Sequence, residues 1–150
     1  MSDKFFDLAY CGIYCPECSF KVAFESKRRE HLANMPSKYD SFKDSDLADC
    51  DCSGCKRQNV GGECRIKDCA VSRDLDHCGL CQDFPCEQLS AFADDGIPHH
   101  QKAVENLSFI KNNGIAEFFE KMETAALCSC GEQLSWYVKN CISCGKIKTE

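Results

Sequence analysis

Cysteine is the residue type through which this chain is best equipped to do chemistry. Its 150 residues include fifteen cysteines, and a content above roughly 8–10% marks chains that disulfides or metals hold together. Many of these cysteines stand two or three positions apart, which is the spacing of thiolates that bind one ion. Because fifteen is an odd number, disulfides alone would leave at least one thiol over. The spacing therefore predicts metal binding.

The C-terminal cysteines form the clearest set of metal ligands. Cys128 and Cys130 are separated by ten residues from a second pair, Cys141 and Cys144. Zinc takes four ligands in a tetrahedron, and thiolates bind it at about 2.3 Å. The two pairs therefore predict a zinc site in which each pair binds one side of the ion.

The stretch between the two C-terminal pairs predicts a β-hairpin. Leu134, Trp136 and Val138 alternate with other residues, as in a strand with one buried face. Gly131 and Gly145 follow the two pairs and allow tight turns around a metal. The first pair has one intervening residue, where zinc ribbons usually have two. So short a segment cannot build a core of its own, and we expect the metal to supply most of its folding energy.

Eleven cysteines between Cys11 and Cys86 are enough for two further four-cysteine sites. The first predicted site joins two C-x-x-C pairs that are far apart in sequence, namely Cys15, Cys18, Cys78 and Cys81. The second uses cysteines that are close in sequence, namely Cys52, Cys55, Cys64 and Cys69. Cys50 is left over with Cys11 and Cys86, and exchanges that bring Cys11 or Cys86 into a site remain open. With the C-terminal site, this predicts about three zinc ions, which follows from four ligands per ion.

The order of the N-terminal motifs resembles that of a known protein family. The motifs are Cys11-Gly-Ile-Tyr-Cys15-Pro-Glu-Cys18, Cys52-Ser-Gly-Cys55, Cys64-Arg-Ile-Lys-Asp-Cys69 and Cys78-Gly-Leu-Cys81-Gln-Asp-Phe-Pro-Cys86. Together they are similar to the domain-of-unknown-function family 3795 of bacteria and archaea. Members often carry a similar C-terminal tail with a Ser-Trp-Tyr stretch, as in Ser135-Trp136-Tyr137. The resemblance implies metal binding and supplies no reaction, and Cys50 lies outside the family's pattern.

Iron is the alternative to zinc in the N-terminal region, because thiolates bind both metals. An iron–sulfur or redox-active protein using these cysteine clusters is therefore the second hypothesis. A catalytic zinc keeps one position for water and normally has a histidine or carboxylate ligand. The predicted sites contain only cysteine, and no serine, histidine and carboxylate arrangement stands out, so the sequence identifies no catalytic residue.

The favoured function is a noncatalytic zinc protein that acts as an adaptor or binding module. The sequence does not identify its partner, for which a protein is one candidate. The net charge of −6 argues against nonspecific nucleic-acid binding, which needs a basic surface. The first ten residues lack the pattern of a signal peptide, and no apolar run is long enough to span a membrane. We therefore expect a cytoplasmic protein, in which disulfides would be reduced.

Apolar residues at helical spacing predict the elements that position the cysteines. A helix is predicted to begin at Pro16 and to continue to about Asn34, with a short helix after Pro85. Two longer helices follow, one from Pro98 to a stop at Gly114 and one over Ile115–Ala126.

The predicted fold is small, metal-organised and mainly α-helical, with irregular zinc-knuckle loops and a C-terminal β-hairpin zinc ribbon. The predicted organisation has three parts. Residues 1–96 form a cysteine-rich metal-binding region, residues 97–126 a helical segment that packs on it, and residues 127–150 the zinc ribbon.

Overall fold

Helices and short 3-10 turns provide most of the secondary structure. A computed structural model describes residues 3–57 and 63–149. The α-helices within these residues are α1 (Lys4–Asp7), α2 (Ser19–Ser26), α3 (Asp40–Lys43), α4 (Arg65–Ser72), α5 (Glu87–Ala93), α6 (Pro98–Asn113) and α7 (Ile115–Ala125). The 3-10 turns are Cys15–Glu17, Arg29–Leu32, Ser37–Tyr39, Leu47–Cys50 and Cys78–Leu80. The prediction of a mainly helical chain is confirmed.

The chain divides into two units that are each made of two segments. Unit 1 comprises Met1–Cys15 and Gly54–Lys121, and unit 2 comprises Pro16–Ser53 and Met122–Glu150. All fifteen cysteines lie in the described residues, and no disulfide joins them. None of the described helices has both the length and the apolar character that crossing a bilayer requires.

Unit 1 is built around α6. This helix packs against α5 and against the Cys78–Leu80 turn, and its Leu107 is fully buried. Pro98 occupies the first turn and Gly114 ends the helix with a φ of 94°, as the sequence predicts. The following helix buries Phe118, whose ring meets Tyr14 edge-on with a centroid distance of 5.9 Å.

Gly12 allows the N-terminal segment of unit 1 to approach α6 closely. Its φ is 99°, and a Cβ at this position would overlap the carbonyl oxygen of Ala103 and come within 2.7 Å of Leu107 Cγ. The buried side chain of Asn106 donates a hydrogen bond to the Gly12 carbonyl at 3.0 Å. This contact fixes the backbone beside Cys11.

In unit 2, the predicted long helix from Pro16 to Asn34 is wrong. Lys27 has a φ of 60°, and the Arg28 N–H donates to the Ala23 carbonyl at 3.2 Å, so α2 ends at Ser26. The chain then reverses through the Arg29–Leu32 turn. The reversal lets Leu32 pack in one buried cluster with Ala23, and burial of these apolar side chains favours two short elements over one straight helix.

The predicted C-terminal β-hairpin zinc ribbon is also wrong. Residues 122–149 contain no strand, and their backbone pairing is limited to two isolated bridges, Leu127 with Gln133 and Asn140 with Ile147.

The backbone groups of the predicted strand form hydrogen bonds outside a sheet. The Trp136 N–H donates to the Glu17 carbonyl at 3.1 Å, and the Tyr137 carbonyl accepts from the Asn34 side chain at 3.2 Å. A buried backbone group needs only one good partner. Because other residues of unit 2 supply these partners, the alternating apolar side chains do not lead to a ladder.

We predict that Gly12→Ala lowers the free energy of unfolding by at least about 2 kcal/mol, because it adds steric overlap to the cost of a positive φ. Gly96→Ala is the matched control, since Gly96 has a φ of 88° but no atom within 4 Å of the added Cβ. Its cost should be limited to about 1 kcal/mol of backbone strain. Denaturant titration of both variants at fixed zinc measures the difference, and equal losses would contradict the close approach to α6.

Candidate metal centre

Four cysteine sulfurs converge in the C-terminal segment of unit 2. Cys128 Sγ lies 3.6 Å from Cys144 Sγ, and Cys130 Sγ lies 3.6 Å from Cys141 Sγ. All four sulfurs are within 4.8 Å of one another. Two zinc–sulfur bonds of about 2.3 Å at a tetrahedral angle span about 3.8 Å. We call these four residues the C-terminal cluster, and their geometry suits one four-coordinate ion.

Each pair of the C-terminal cluster sits on a turn that a glycine closes. The Gly131 N–H donates to the Cys128 carbonyl at 2.8 Å, and the Gly145 N–H donates to the Cys141 carbonyl at 2.8 Å. The φ values of the two glycines are 91° and 75°, which side chains with a Cβ rarely adopt. The two glycine turns predicted from the sequence are therefore confirmed, although no hairpin connects them.

The C-terminal cluster has one apolar side and one side open to water. Cys141 is buried in a small cluster with Leu134, whereas Cys130 and Cys144 are exposed. The backbone N–H of Cys130, together with the neighbouring thiols, lowers the pKa of Cys128 to about 6. The cluster therefore supplies one thiolate near neutral pH, and solvent can reach it from the exposed side.

A buried histidine–serine pair holds this segment within unit 2. His31 Nδ1 lies 2.8 Å from Ser135 Oγ, and both residues are buried. The Lys148 ammonium donates to the Ser135 carbonyl at 2.7 Å. Neither His31 nor Lys148 belongs to a ligand motif, so no sequence pattern marks them. Ser135 lies in the Ser-Trp-Tyr stretch that the family resemblance singled out.

In unit 1, four cysteines line one cavity. Cys69, Cys78, Cys81 and Cys86 surround a volume of about 30 Å³. Burial raises the pKa of Cys78 to about 12, and the charges of Cys86, Cys69 and Cys81 add to the rise. We call these four lining residues the unit 1 cysteines, and the other cysteines of unit 1 are named individually. Their sulfurs are less tightly grouped than the C-terminal cluster, which is the only set among residues 3–57 and 63–149 with all ligand atoms within 4.8 Å.

Three other cysteines of unit 1 also influence one another. Burial raises the pKa of Cys11 to about 12, and after an opposing effect of the Ile13 N–H, the charges of Cys55 and Cys64 raise it further. Cys15 is buried, and its sulfur lies 3.8 Å from the position of a Cβ at Gly54. Gly54 itself has a φ of 97°, which glycine adopts without the steric cost of a Cβ.

The remaining cysteines belong to unit 2. Cys18 is the N-cap of α2, whereas a helix that begins at Pro16, as predicted, would include it in the first turn. Burial raises its pKa to about 12, and the charge of Cys52 contributes to the rise. Cys50 is buried in the apolar cluster around Leu32 and does not belong to the C-terminal cluster. The two predicted N-terminal groupings draw on cysteines of both units, and they stay predictions.

The fold and the site together define a helical, cysteine-rich protein with a four-thiol centre that can hold a metal ion. Residues 7–91 match the family model described as Protein of unknown function (DUF3795). The match covers more than half of the chain, and the chain belongs to this family, as the order of its motifs indicates. Comparison with curated proteins gave no match, and comparison with solved structures gave none.

We predict that His31 makes the stability of unit 2 depend on pH. Burial lowers the pKa of His31 below its usual 6.5, and nearby Glu132, Glu30 and Arg28 modify the shift. Below about pH 6.5 the unfolded chain therefore binds a proton that the folded chain does not, and stability falls as the pH decreases.

His31→Gln removes this titration. The stability advantage of the wild type over the variant should shrink from pH 7.5 to pH 5.5, as measured by denaturant titration at fixed zinc. Loss of metal in acid affects both proteins, so the difference isolates the histidine. Parallel pH curves for the two proteins would contradict a neutral, buried His31.

Proposed function

We propose that this protein binds zinc and serves, without catalysis, as a binding module or adaptor for another protein. The observation that carries the proposal is the spacing of sulfurs in the C-terminal cluster. The Sγ atoms of Cys128 and Cys144 lie 3.6 Å apart, and so do those of Cys130 and Cys141. Four thiolates fill the tetrahedral positions of zinc and leave none for the water that a catalytic zinc needs. The ion would therefore act by holding the chain in shape.

Zinc fits the C-terminal cluster better than a polynuclear iron–sulfur cluster does. Thiolates on different irons stand farther apart than two thiolates on one ion. The sulfur separations of 3.6 Å therefore support a single ion. Zinc is the common single ion in closed four-cysteine sites of proteins. An iron–sulfur cluster built from the N-terminal cysteines remains the rival outcome of the test below.

We propose about three zinc ions for the whole chain. This number follows from the twelve cysteines that the sequence predicts as ligands and from four ligands per ion. A cytoplasmic location belongs to the same proposal. Thiols there are kept reduced and available to metal, and none of the fifteen cysteines forms a disulfide.

The C-terminal ion would organise the surface that the module presents. It would join the turn at Gly131 to the turn at Gly145. Hydrogen bonds of Ser135 and Trp136 hold the segment between these turns to the Pro16–Ser53 segment of unit 2. Loss of the ion would free both turns, because the apolar cluster around Cys141 is small. Metal binding and local folding are then one equilibrium.

We predict that Cys144→Ser removes one zinc ion per chain. Cys144 is exposed, so the substitution sacrifices little packing, and the three remaining thiols hold zinc much less tightly. Native mass spectrometry of zinc-supplemented protein gives the count. Cys50→Ala is the control, since it removes a buried cysteine outside the cluster and should leave the count unchanged.

Elemental analysis and an anaerobic absorbance spectrum of the wild type complete the test. Zinc without visible absorbance is the expected result. Iron with inorganic sulfide would establish the rival hypothesis. An unchanged zinc count in Cys144→Ser, or protein that binds no metal at all, would overturn the proposed function.

A further inference from the structure

We propose that the unit 1 cysteines, Cys69, Cys78, Cys81 and Cys86, bind a second zinc ion within unit 1. The inference rests on the proposed function, because it extends zinc binding to another site of the chain. It also assigns Cys69, Cys78 and Cys81 differently from the spacing pattern, which divides them between two sites, and it makes Cys86 a ligand.

The cavity between these residues has the size and the chemistry of a single-ion site. Its volume is about 30 Å³, which is enough for one particle of the size of a water molecule. The side chains around it contain no histidine and no carboxylate, and Ile66, Ala70 and Leu89 form apolar walls. Gln88 is the one lining residue with a side-chain oxygen, a neutral amide. The four soft thiolates favour zinc over calcium or magnesium.

Three different elements bring the four sulfurs to this cavity. Cys69 lies on α4. Cys78 and Cys81 are the two ends of a tight turn, in which the Cys81 N–H donates to the Cys78 carbonyl at 3.1 Å. Cys86 is the N-cap of α5, and its Sγ accepts the Leu89 N–H at 3.4 Å. The turn and the N-cap hold three of the ligands before any ion binds.

Arg73 supplies the positive charge that a four-thiolate centre calls for. Its Nη1 donates to Cys81 Sγ at 3.2 Å and to Asp83 Oδ2 at 2.8 Å. Zinc with four thiolates carries a net charge of −2, and a guanidinium bound to one sulfur offsets part of it. Hydrogen bonds of this kind orient the ligands of protein metal sites and strengthen binding.

Rotation of their side chains would bring the sulfurs of the unit 1 cysteines toward an ion. Their sulfurs surround the cavity at longer range than those of the C-terminal cluster. The position of a cysteine Sγ depends on the χ1 torsion alone, and the staggered χ1 rotamers are close in energy. The gain from forming four zinc–sulfur bonds far exceeds the cost of such rotations.

Zinc counting in three variants tests this assignment. Cys69→Ser and Cys78→Ser should each lose one ion by native mass spectrometry, and the double variant should lose no more than either single variant. If the two cysteines belong to different ions, as the spacing pattern predicts, the double variant loses two, and that result would overturn the inference. Cys50→Ala again serves as the control.

Alkylation of the wild-type protein tests the same point without any substitution. In zinc-loaded protein, peptide mapping after treatment with a thiol reagent should find all four unit 1 cysteines protected, although Cys69 is exposed. Stepwise chelation should release the four together. Modification of Cys86 or Cys69 while Cys78 and Cys81 stay protected would overturn the inference.

The two proposals fail in different ways. If Cys144→Ser loses an ion while Cys69→Ser and Cys78→Ser lose none, the proposed function stands and the second site is wrong. If no variant changes the count because the wild type holds no zinc, both are wrong. If the unit 1 cysteines are protected by iron, the site exists and its metal assignment is wrong.

Discussion

The four thiols of the C-terminal cluster can all be ionised together only when a cation lies between them. Like charges at about 4 Å repel strongly when solvent is partly excluded, and the sulfurs of the C-terminal cluster lie 3.6 Å apart in two pairs. A bound zinc ion turns that repulsion into attraction. The two glycine turns, the small apolar cluster at Leu134 and the contacts of Ser135 all depend on the segment that this ion would hold.

The same constraint explains why so much of the chain is built from short elements. Helices α1 and α3 have four residues each, and α2 and α4 have eight. Isolated helices of this length are unstable in water. Among the described helices, only α6 and α7 are longer than eight residues, and they bury a continuous face. Bound metal ions would replace the missing core by fixing loops and short helices at single points, which is their usual role in small domains.

The sequence predicts best where one residue type decides the structure. The spacing of four cysteines predicted which sulfurs converge in the C-terminal segment, and Pro98 with Gly114 predicted the bounds of α6. The C-terminal hairpin failed because the alternation of Leu134, Trp136 and Val138 does not show where backbone groups find partners. In the structure Trp136 pairs with Glu17, a residue more than a hundred positions away.

The grouping of the N-terminal cysteines is a further example. Spacing along the chain reveals which cysteines form a pair, as it does for Cys78 and Cys81, but not which pairs meet. The cavity brings Cys69 and Cys86 to that pair, and the fold around α5 and α6 decides this. The contact of His31 with Ser135 has the same origin, because single residues that meet through the fold carry no local pattern.

Zinc K-edge X-ray absorption of the purified wild-type protein tests the central claim most directly. If the zinc ions are held by closed sets of four cysteines, the average first shell contains four sulfurs at about 2.3 Å and no nitrogen or oxygen. A first shell that includes nitrogen or oxygen at about 2.0 Å would mean that histidine, carboxylate or water completes the sites, and it would contradict the noncatalytic, all-thiolate centre proposed for this protein.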